Sequence, residues 1–391
     1  MVKYEQRFAK EGKVMKQVKI LHCADLHFDT PFKELTKEIS QNSKEELLQV
    51  FKNIIDLTIN EKVQVLLIAG DVFDNLTVNK NTLFFISNQL KRIENVRVFI
   101  SPGNHDPYNE KSFYKMINWP DNVYIFKGKM QSKEIEELNL VVWGAGFNNN
   151  YEHEGLINEI NIDKSKINIM VIHGEIESGN SKNEYNPIYL RDIEKTGIEY
   201  VALGHRHKFS GILKSGNTNY AYSGCPQGRG FDEKGERGII IGDIYKGGVS
   251  LNFKSICKRK YITREVQIDD INTYDELISK ILSLGNEEEL KRNFYKIILK
   301  GKVKEHFTLK ENILMEKVKD NFYYIKFIDK TIIGMNINEL SMDFSIRGRF
   351  VTKIIKMIQK SNDEEEKNIL QNALKLGMQC LSEEEVSLND Y

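Results

Sequence analysis

Residues 19–29 read KILHCADLHFD, and the residues just after the apolar run Val18–Cys23 decide how the chain is read. The run is short and apolar with β-branched residues, as a buried strand is. It ends in Asp25-x-His27, and residues two apart on an extended chain share a face, so both side chains leave the strand on one side and can grip one cation. The same event recurs four times. Val65–Ala69 runs into Gly70-Asp71 (LIAGDVFDN), and Arg97–Ser101 into Gly103-Asn104-His105-Asp106 (SPGNHDP). Ile167–Ile172 runs into His173 (MVIHGE), and Tyr200–Leu203 into Gly204-His205-Arg206-His207 (ALGHRHK). Sites in α/β proteins assemble beyond the carboxyl ends of strands, and these segments hold five of the eight histidines. For any one histidine alone, a satisfied core residue is the better explanation; jointly, a metal centre is.

Further strands are predicted at Val123–Phe126 and Leu140–Trp143, and Leu47, Leu48, Phe51, Ile54, Ile55 and Ile59 recur at helical spacing within Ser43–Asn60. After Leu203 the segments Asn219–Ser223, Gly238–Gly242 and Ser250–Ile256, separated by glycine turns, are expected to form a second, antiparallel sheet packed on the first. The fold class is α/β (α+β): a two-sheet sandwich flanked by helices, with a small α+β cap domain and C-terminal helices. The expected organisation is a disordered extension over 1–14, a main domain over 15–257, the small domain over 258–335, and a helical segment over 336–391 that either packs at home or docks on a partner. In that last segment Phe344, Phe350, Val351, Ile354, Ile355 and Ile358 make an apolar stripe.

Composition narrows the classes. No stretch approaches the roughly 20 uncharged apolar residues of a membrane span, so a cytoplasmic protein without a membrane partner is expected. Four scattered cysteines give neither a disulfide framework nor a thiolate zinc site. With 56 basic and 56 acidic residues, the whole-protein field attracts no polyanion, and any nucleic acid must be held locally. The run Lys254, Lys258, Arg259, Lys260 and Arg264 could track a phosphate backbone or simply be a solvated joint between domains.

Two divalent ions about 3.5–4 Å apart need one ligand that touches both, and the carboxylate of Asp71 is the candidate. Nitrogen and oxygen donors without sulfur suit manganese, iron or zinc. Asp106-Pro107 before Asn109–Ile117 reads as a helix N-cap followed by proline at the first helical position. His22, inside the first strand, reads as a core or interface histidine, and His153 and His306 as solvent-exposed ones.

DxH, GD, GNHD, HG and GHxH in this order resemble the calcineurin-like metallophosphoesterases over about residues 18–210. By that resemblance one metal takes Asp25, His27, Asp71 and His207, the other takes Asp71, Asn104, His173 and His205, and His105 binds none. KILHCADLHFD and YSGCPQGRGFDEKGERG, with Tyr222, Gly224, Gln227, Gly228, Glu233, Gly235 and Gly238, are similar to SbcD-like nucleases, nearest to the YhaO-type branch; Cys225 stands where serine is common. The resemblance implies a phosphodiester hydrolase in DNA repair, two bound divalent ions with manganese favoured, and DNA and an SMC-like (SbcC-like) ATPase as partners, with a homodimer as a further option. An aspartate at Asp74 against His105 would fix its tautomer and favour an imidazolium able to protonate a leaving oxygen. No GxxxxGK[ST] loop is present, so ATP would be handled by the partner. Two rival functions are a phosphomonoesterase or small-molecule phosphodiesterase with the same ligands, and a non-catalytic scaffold that binds DNA or the ATPase.

Overall fold

The computed structural model describes residues 17–74, 78–157, 160–177, 184–269, 271–304, 309–334 and 345–381. The expected extension over 1–14, His306 and Phe344 lie outside them. The chain divides into two units, the first ending at Lys260 and the second beginning at Tyr261.

In the first unit, β1 (Gln17–Cys23), α1 (Lys37–Asn60), β2 (Val65–Ile68), α2 (Lys80–Lys91), β3 (Arg97–Ile100) and β4 (Val123–Ile125) lead into the polar β5 (Gln131–Ile135) and β6 (Leu140–Gly144). There follow β7 (Ile167–His173), β8 (Glu175–Ile176), β9 (Pro187–Ile188), α3 (Leu190–Thr196), β10 (Tyr200–Gly204), β11 (Leu213–Ser215), β12 (Thr218–Tyr222), β13 (Gly238–Tyr245) and β14 (Gly248–Ser255). Two six-stranded sheets result, ordered β14-β13-β1-β2-β3-β4 and β11-β12-β10-β7-β6-β5.

Alternation along the strands builds the layers. Val18, Ile20, Val65 and Leu67 meet Ile167, Ile169, Val171 and Ala202 between the sheets. Leu21, Cys23, Leu66 and Ile68 face outward onto Phe51 and Ile54 of α1 and Leu83, Ile86 and Leu90 of α2. Strands covered on both faces read as continuous apolar runs, which is why VLLI in β2 shows no period of its own. His22 is a core residue as expected, its Nδ1 2.9 Å from the Tyr200 hydroxyl between the sheets. His153 is exposed, also as expected.

Two expectations are overturned. The strands after Leu203 do not make a sheet of their own: β12 joins the second sheet parallel to β10, while the β13–β14 hairpin pairs antiparallel with β1, Val18 opposite Ile244, and so extends the first. Buried apolar residues such as Ile240 and Ile244 serve either sheet equally, so their pattern did not fix the partner. Asn109–Ile117 is not a helix capped by Asp106; only the short 3₁₀ turn Phe113–Lys115 forms. The Asp106 carboxylate instead accepts from the backbone N–H groups of Val72 (2.6 Å) and Gly103 (2.7 Å) and from the Tyr114 hydroxyl (2.6 Å).

The second unit has β15 (Tyr261–Gln267), α4 (Tyr274–Leu282), α5 (Glu287–Arg292), β16 (Phe294–Lys304), α6 (Glu311–Val318) and β17 (Tyr324–Gly334), then α7 (Ile346–Lys360) and α8 (Glu364–Leu381). Its three strands are parallel in chain order, with Leu277, Ile281, Leu314 and Val318 of the intervening helices covering Val266, Ile297, Leu299 and Phe327. The stripe on α7 meets α8: Val351 packs with Leu374 and Met378, flanked by Phe350, Ile354 and Ile355. No helix among the described residues is long and apolar enough to cross a membrane.

The sheets approach closely at Gly204, where a Cβ would stand 1.6 Å from the Ala69 carbonyl oxygen. Gly204→Ala must push backbone from backbone, and overpacking of this kind costs about 3 kcal/mol or more. A clear drop in the urea midpoint is expected; an unchanged midpoint would mean that the sheets part freely.

Candidate metal centre

Each of the five motif segments leaves a strand at the same end of the sandwich, and the loops are tied to one another before any side chain is considered. Asp25 N donates to Gly70 O (3.0 Å), His27 N to Asp71 O (2.9 Å) and Phe28 N to Val72 O (2.9 Å). The ties hold Asp25 (φ 54°), His27 (φ 45°) and Asp71 (φ 51°) in left-handed backbone, and His205 has φ 110°. Such conformations are unfavourable for residues with a Cβ and persist where surrounding structure enforces them, commonly at functional sites. Gly70, at φ +85°, also clears space: a Cβ there would meet His173 Nδ1 at 2.4 Å.

One ligand atom each from Asp25, His27, Asp71 and His207 lie within 4.8 Å of one another. His27 Nε2 is 3.3 Å from His207 Nε2 and 3.6 Å from Asp71 Oδ2. On the other side of Asp71, His173 Nε2 lies 3.4 Å from the same Oδ2 and 3.0 Å from Asn104 Oδ1, and His205 Nδ1 is 3.3 Å from that amide oxygen. Asp25, His27 and His173 are buried.

The other nitrogen of each ring is held from behind. His173 Nδ1 contacts Ala69 O at 2.9 Å, His207 Nδ1 contacts Glu233 Oε1 at 2.6 Å, and His27 Nδ1 is 3.4 Å from Asp74 Oδ1. His205 is reversed, with Nε2 3.6 Å from Glu175 Oε2. At His173 the hydrogen bond to Ala69 O places the proton on Nδ1 and leaves the Nε2 lone pair on the inward side, the arrangement that a histidine ligand needs, and the carboxylates behind the other three rings favour the same inward orientation. Burial lowers His27 to about 4 and His205 to about 3, so both rings are neutral at physiological pH. Burial alone would raise Asp71, but His173, His27 and His105 outweigh it and hold the carboxyl at about 2. Lone pairs and a carboxylate that converge on a dry space fit divalent cations and little else.

His27, Asp74 and His105 form a second cluster. His105 Nδ1 is 3.1 Å from the Asp74 oxygen that also faces His27, and Thr30 donates to the other Asp74 oxygen at 2.6 Å. Both histidine contacts are close ion-pair approaches rather than well-aligned hydrogen bonds. Because His27 turns Nε2 toward Asp71 and His207, Asp74 works here as an orienting acceptor. It raises the His105 pKa, and it is itself well below the carboxylate range: burial opposes this, and contacts from His105, His27 and Thr30 override it. His105 has the most exposed side chain of the five histidines, at 35%.

Glu233, Arg229, Glu175 and Thr30 were not singled out for these roles from sequence. Arg229 Nη2 bonds Glu233 Oε1 at 2.7 Å and lies 3.1 Å from His207 Nδ1, so one carboxylate bridges both side chains. The available signal was the turn QGRGFDE, with Glu233 four residues after Arg229. The basic run is largely neutralised: Lys254 pairs with Glu61, Lys258 and Arg259 with Glu46, and Lys260 with Glu236. Arg264 stands on β15 in the second unit, exposed.

The fold and the ring of ligands define a class. Residues 18–209 match the calcineurin-like phosphoesterase family, and the chain carries a calcineurin-like metallophosphoesterase domain. It is similar to the uncharacterized metallophosphoesterase YhaO of Bacillus subtilis, 28% identical over 60% of this chain and 59% of that protein, less than two thirds of its length. It is also similar to the DNA double-strand break repair protein Mre11 of Saccharolobus solfataricus (24% identical; 80% of this chain, 83% of that one). A third relative is the D subunit of the SbcCD nuclease of Staphylococcus saprophyticus (23% identical; 89% of this chain, 90% of that one).

Glu233→Gln removes the charge that holds both His207 and Arg229, and losing such an outer partner typically weakens metal affinity about 10–100-fold. Titration calorimetry with manganese should show that loss in a protein that remains folded by circular dichroism. Unchanged affinity would reduce Glu233 to a packing residue.

Proposed function

We propose that this chain is a metal-dependent phosphodiesterase, the nuclease subunit of an SbcCD-like DNA repair complex. The observation that carries the proposal is the convergence of Asp25, His27, Asp71 and His207 within 4.8 Å, beside Asn104, His173 and His205 gathered on the far side of Asp71. Asp25, His27, Asp71 and His207 would hold one divalent ion and Asp71, Asn104, His173 and His205 the other. Manganese is the favoured metal, with iron and zinc compatible with the same nitrogen and oxygen donors. The ions, when bound, supply Lewis-acid charge that polarises phosphoryl oxygens and lowers the pKa of water.

The protein's own part is to fix geometry and to move a proton. The Asp71 carboxylate is shared between the two ligand groups and is steadied by the His105 backbone N–H at 2.9 Å. The Asp25 carboxylate accepts from His205 N at 3.0 Å, which ties the first ligand to the last loop. His105, held at Nδ1 by Asp74, keeps Nε2 for the substrate, where its proton can pass to the leaving oxygen. DNA remains a proposed partner, in line with the names of the relatives, and an SMC-like ATPase remains one on the sequence resemblance. Lys254, Lys258, Arg259, Lys260 and Arg264 carry less of the DNA-binding proposal, since four of the five are paired with glutamates.

Single- and double-stranded DNA, bis-p-nitrophenyl phosphate and p-nitrophenyl phosphate should be assayed side by side with manganese. The proposal expects diesters and DNA to be cut and the monoester spared; a preference for the monoester would replace it with the phosphatase alternative. Asp71→Asn should lose both metals, whereas His105→Ala should keep them and turn over on the order of 10²–10⁴-fold more slowly. Elemental analysis decides between these roles: if His105→Ala is stripped of metal, its role as a general acid is wrong.

A further inference from the structure

A ladder of aromatic rings runs outward from the metal ligands of the first unit. The Tyr185 ring lies 5.1 Å from the His205 imidazole at 33°, the Tyr151 ring lies 5.7 Å beyond it at 35°, and His153 is parallel to Tyr151 within 11° at 6.4 Å. The ladder is built on ordered backbone. Glu152 N donates to Glu184 O (2.8 Å) and Asn186 N to Glu152 O (2.7 Å), a parallel bridge that holds the two tyrosine segments side by side. The Asn150 side chain donates to Asn104 O at 2.7 Å, which fixes the outer segment to the loop that supplies a ligand.

Tyr151 is 52% exposed and belongs to none of the hydrophobic clusters, so its position is not explained by the core. A fixed aromatic face in water, continuous with a phosphoester site, matches what a phosphodiester carries next to its phosphate when it is a nucleotide: a planar base. Base–aromatic stacking is sequence-tolerant because every base has a π-face. Bases inside a duplex are already stacked and could not reach these rings.

We infer that Tyr185, Tyr151 and His153 form a base-stacking platform that receives unpaired nucleotides of a single strand beside the bond to be cleaved. The inference rests on the nuclease function proposed above. Its test is the affinity of the full chain for a single-stranded oligonucleotide against an oligomer of equal phosphate count without bases, measured by fluorescence anisotropy on the His105→Ala background to suppress cleavage. Stacking predicts roughly tenfold tighter binding of the oligomer that carries bases. Tyr151→Ala should abolish most of that ratio and Tyr151→Phe should retain it, with metal content unchanged in both. Equal affinities for the two oligomers, or a ratio that survives Tyr151→Ala, would overturn the platform. Hydrolysis of bis-p-nitrophenyl phosphate by the wild-type protein is measured in parallel, because its absence would count against the nuclease proposal while binding still reports on the platform.

Discussion

At the carboxyl ends of the two sheets, the carbonyl of Ala69 faces His173 Nδ1 across the gap at 2.9 Å, and Gly204 passes so close that no side chain fits between. Ala69 follows β2 in the first sheet, whereas His173 and Gly204 end adjacent strands of the second. One backbone oxygen therefore sets both the distance between the sheets and the tautomer of a ligand. The remaining order of the centre is built on that contact. Ala69 N donates to Cys23 O, the next ties join Asp25 to Gly70 and His27 to Asp71, and the loops leave their strands already zipped together. Side chains that would be strained alone are kept in left-handed backbone by this zipper, so much of the ordering of the ligands is done by folding rather than by the arrival of a cation.

Charge is distributed with the same economy. Among the described residues only Asp25 and Asp71 turn carboxylates into the centre, while Asp74, Glu175 and Glu233 stand behind histidines and act through them. A pair of dications facing two carboxylates, four neutral imidazoles and an amide would keep net positive charge, which a site for phosphate esters requires. Had the outer acids been ligands, the ions would be neutralised and their hold on an anionic ester weakened. Glu233 is itself balanced by Arg229, so its buried charge is compensated whether or not His207 is protonated.

Sequence made the centre legible because its candidate ligands sit within a few residues of strand ends, where local periodicity and motif spacing are informative. DxH, GD, GNHD and GHRH all fall where the strands end. What escaped was whatever depends on partners distant along the chain. Glu233 reaches His207 from 26 residues away, through a turn whose path no local pattern specifies. Asp106 looked like a helix cap because aspartate before proline has that local meaning, yet the backbone donors of Val72 and Gly103 and the Tyr114 hydroxyl outcompeted it. The β13–β14 hairpin was assigned to the wrong sheet for a related reason: apolar alternation says that a strand is covered, not which neighbour covers it.

The proposed metal ligands, legible as they are, do not select a substrate, since the same seven side chains would serve a monoester, a small diester or a nucleic acid. Selection must come from their surroundings. The basic run supplies little of it: Lys254, Lys258, Arg259 and Lys260 are matched by Glu61, Glu46 and Glu236, and the whole chain carries no net charge. A surface ion pair adds little to stability, but it does reduce the field its lysine offers to a polyanion. With the attraction of that run so reduced, divalent ions at the proposed centre would be the charge that draws an anionic ester to the site. Short-range contacts must then distinguish one ester from another, and the ring faces beside His205 offer such a contact, one made by shape rather than by charge.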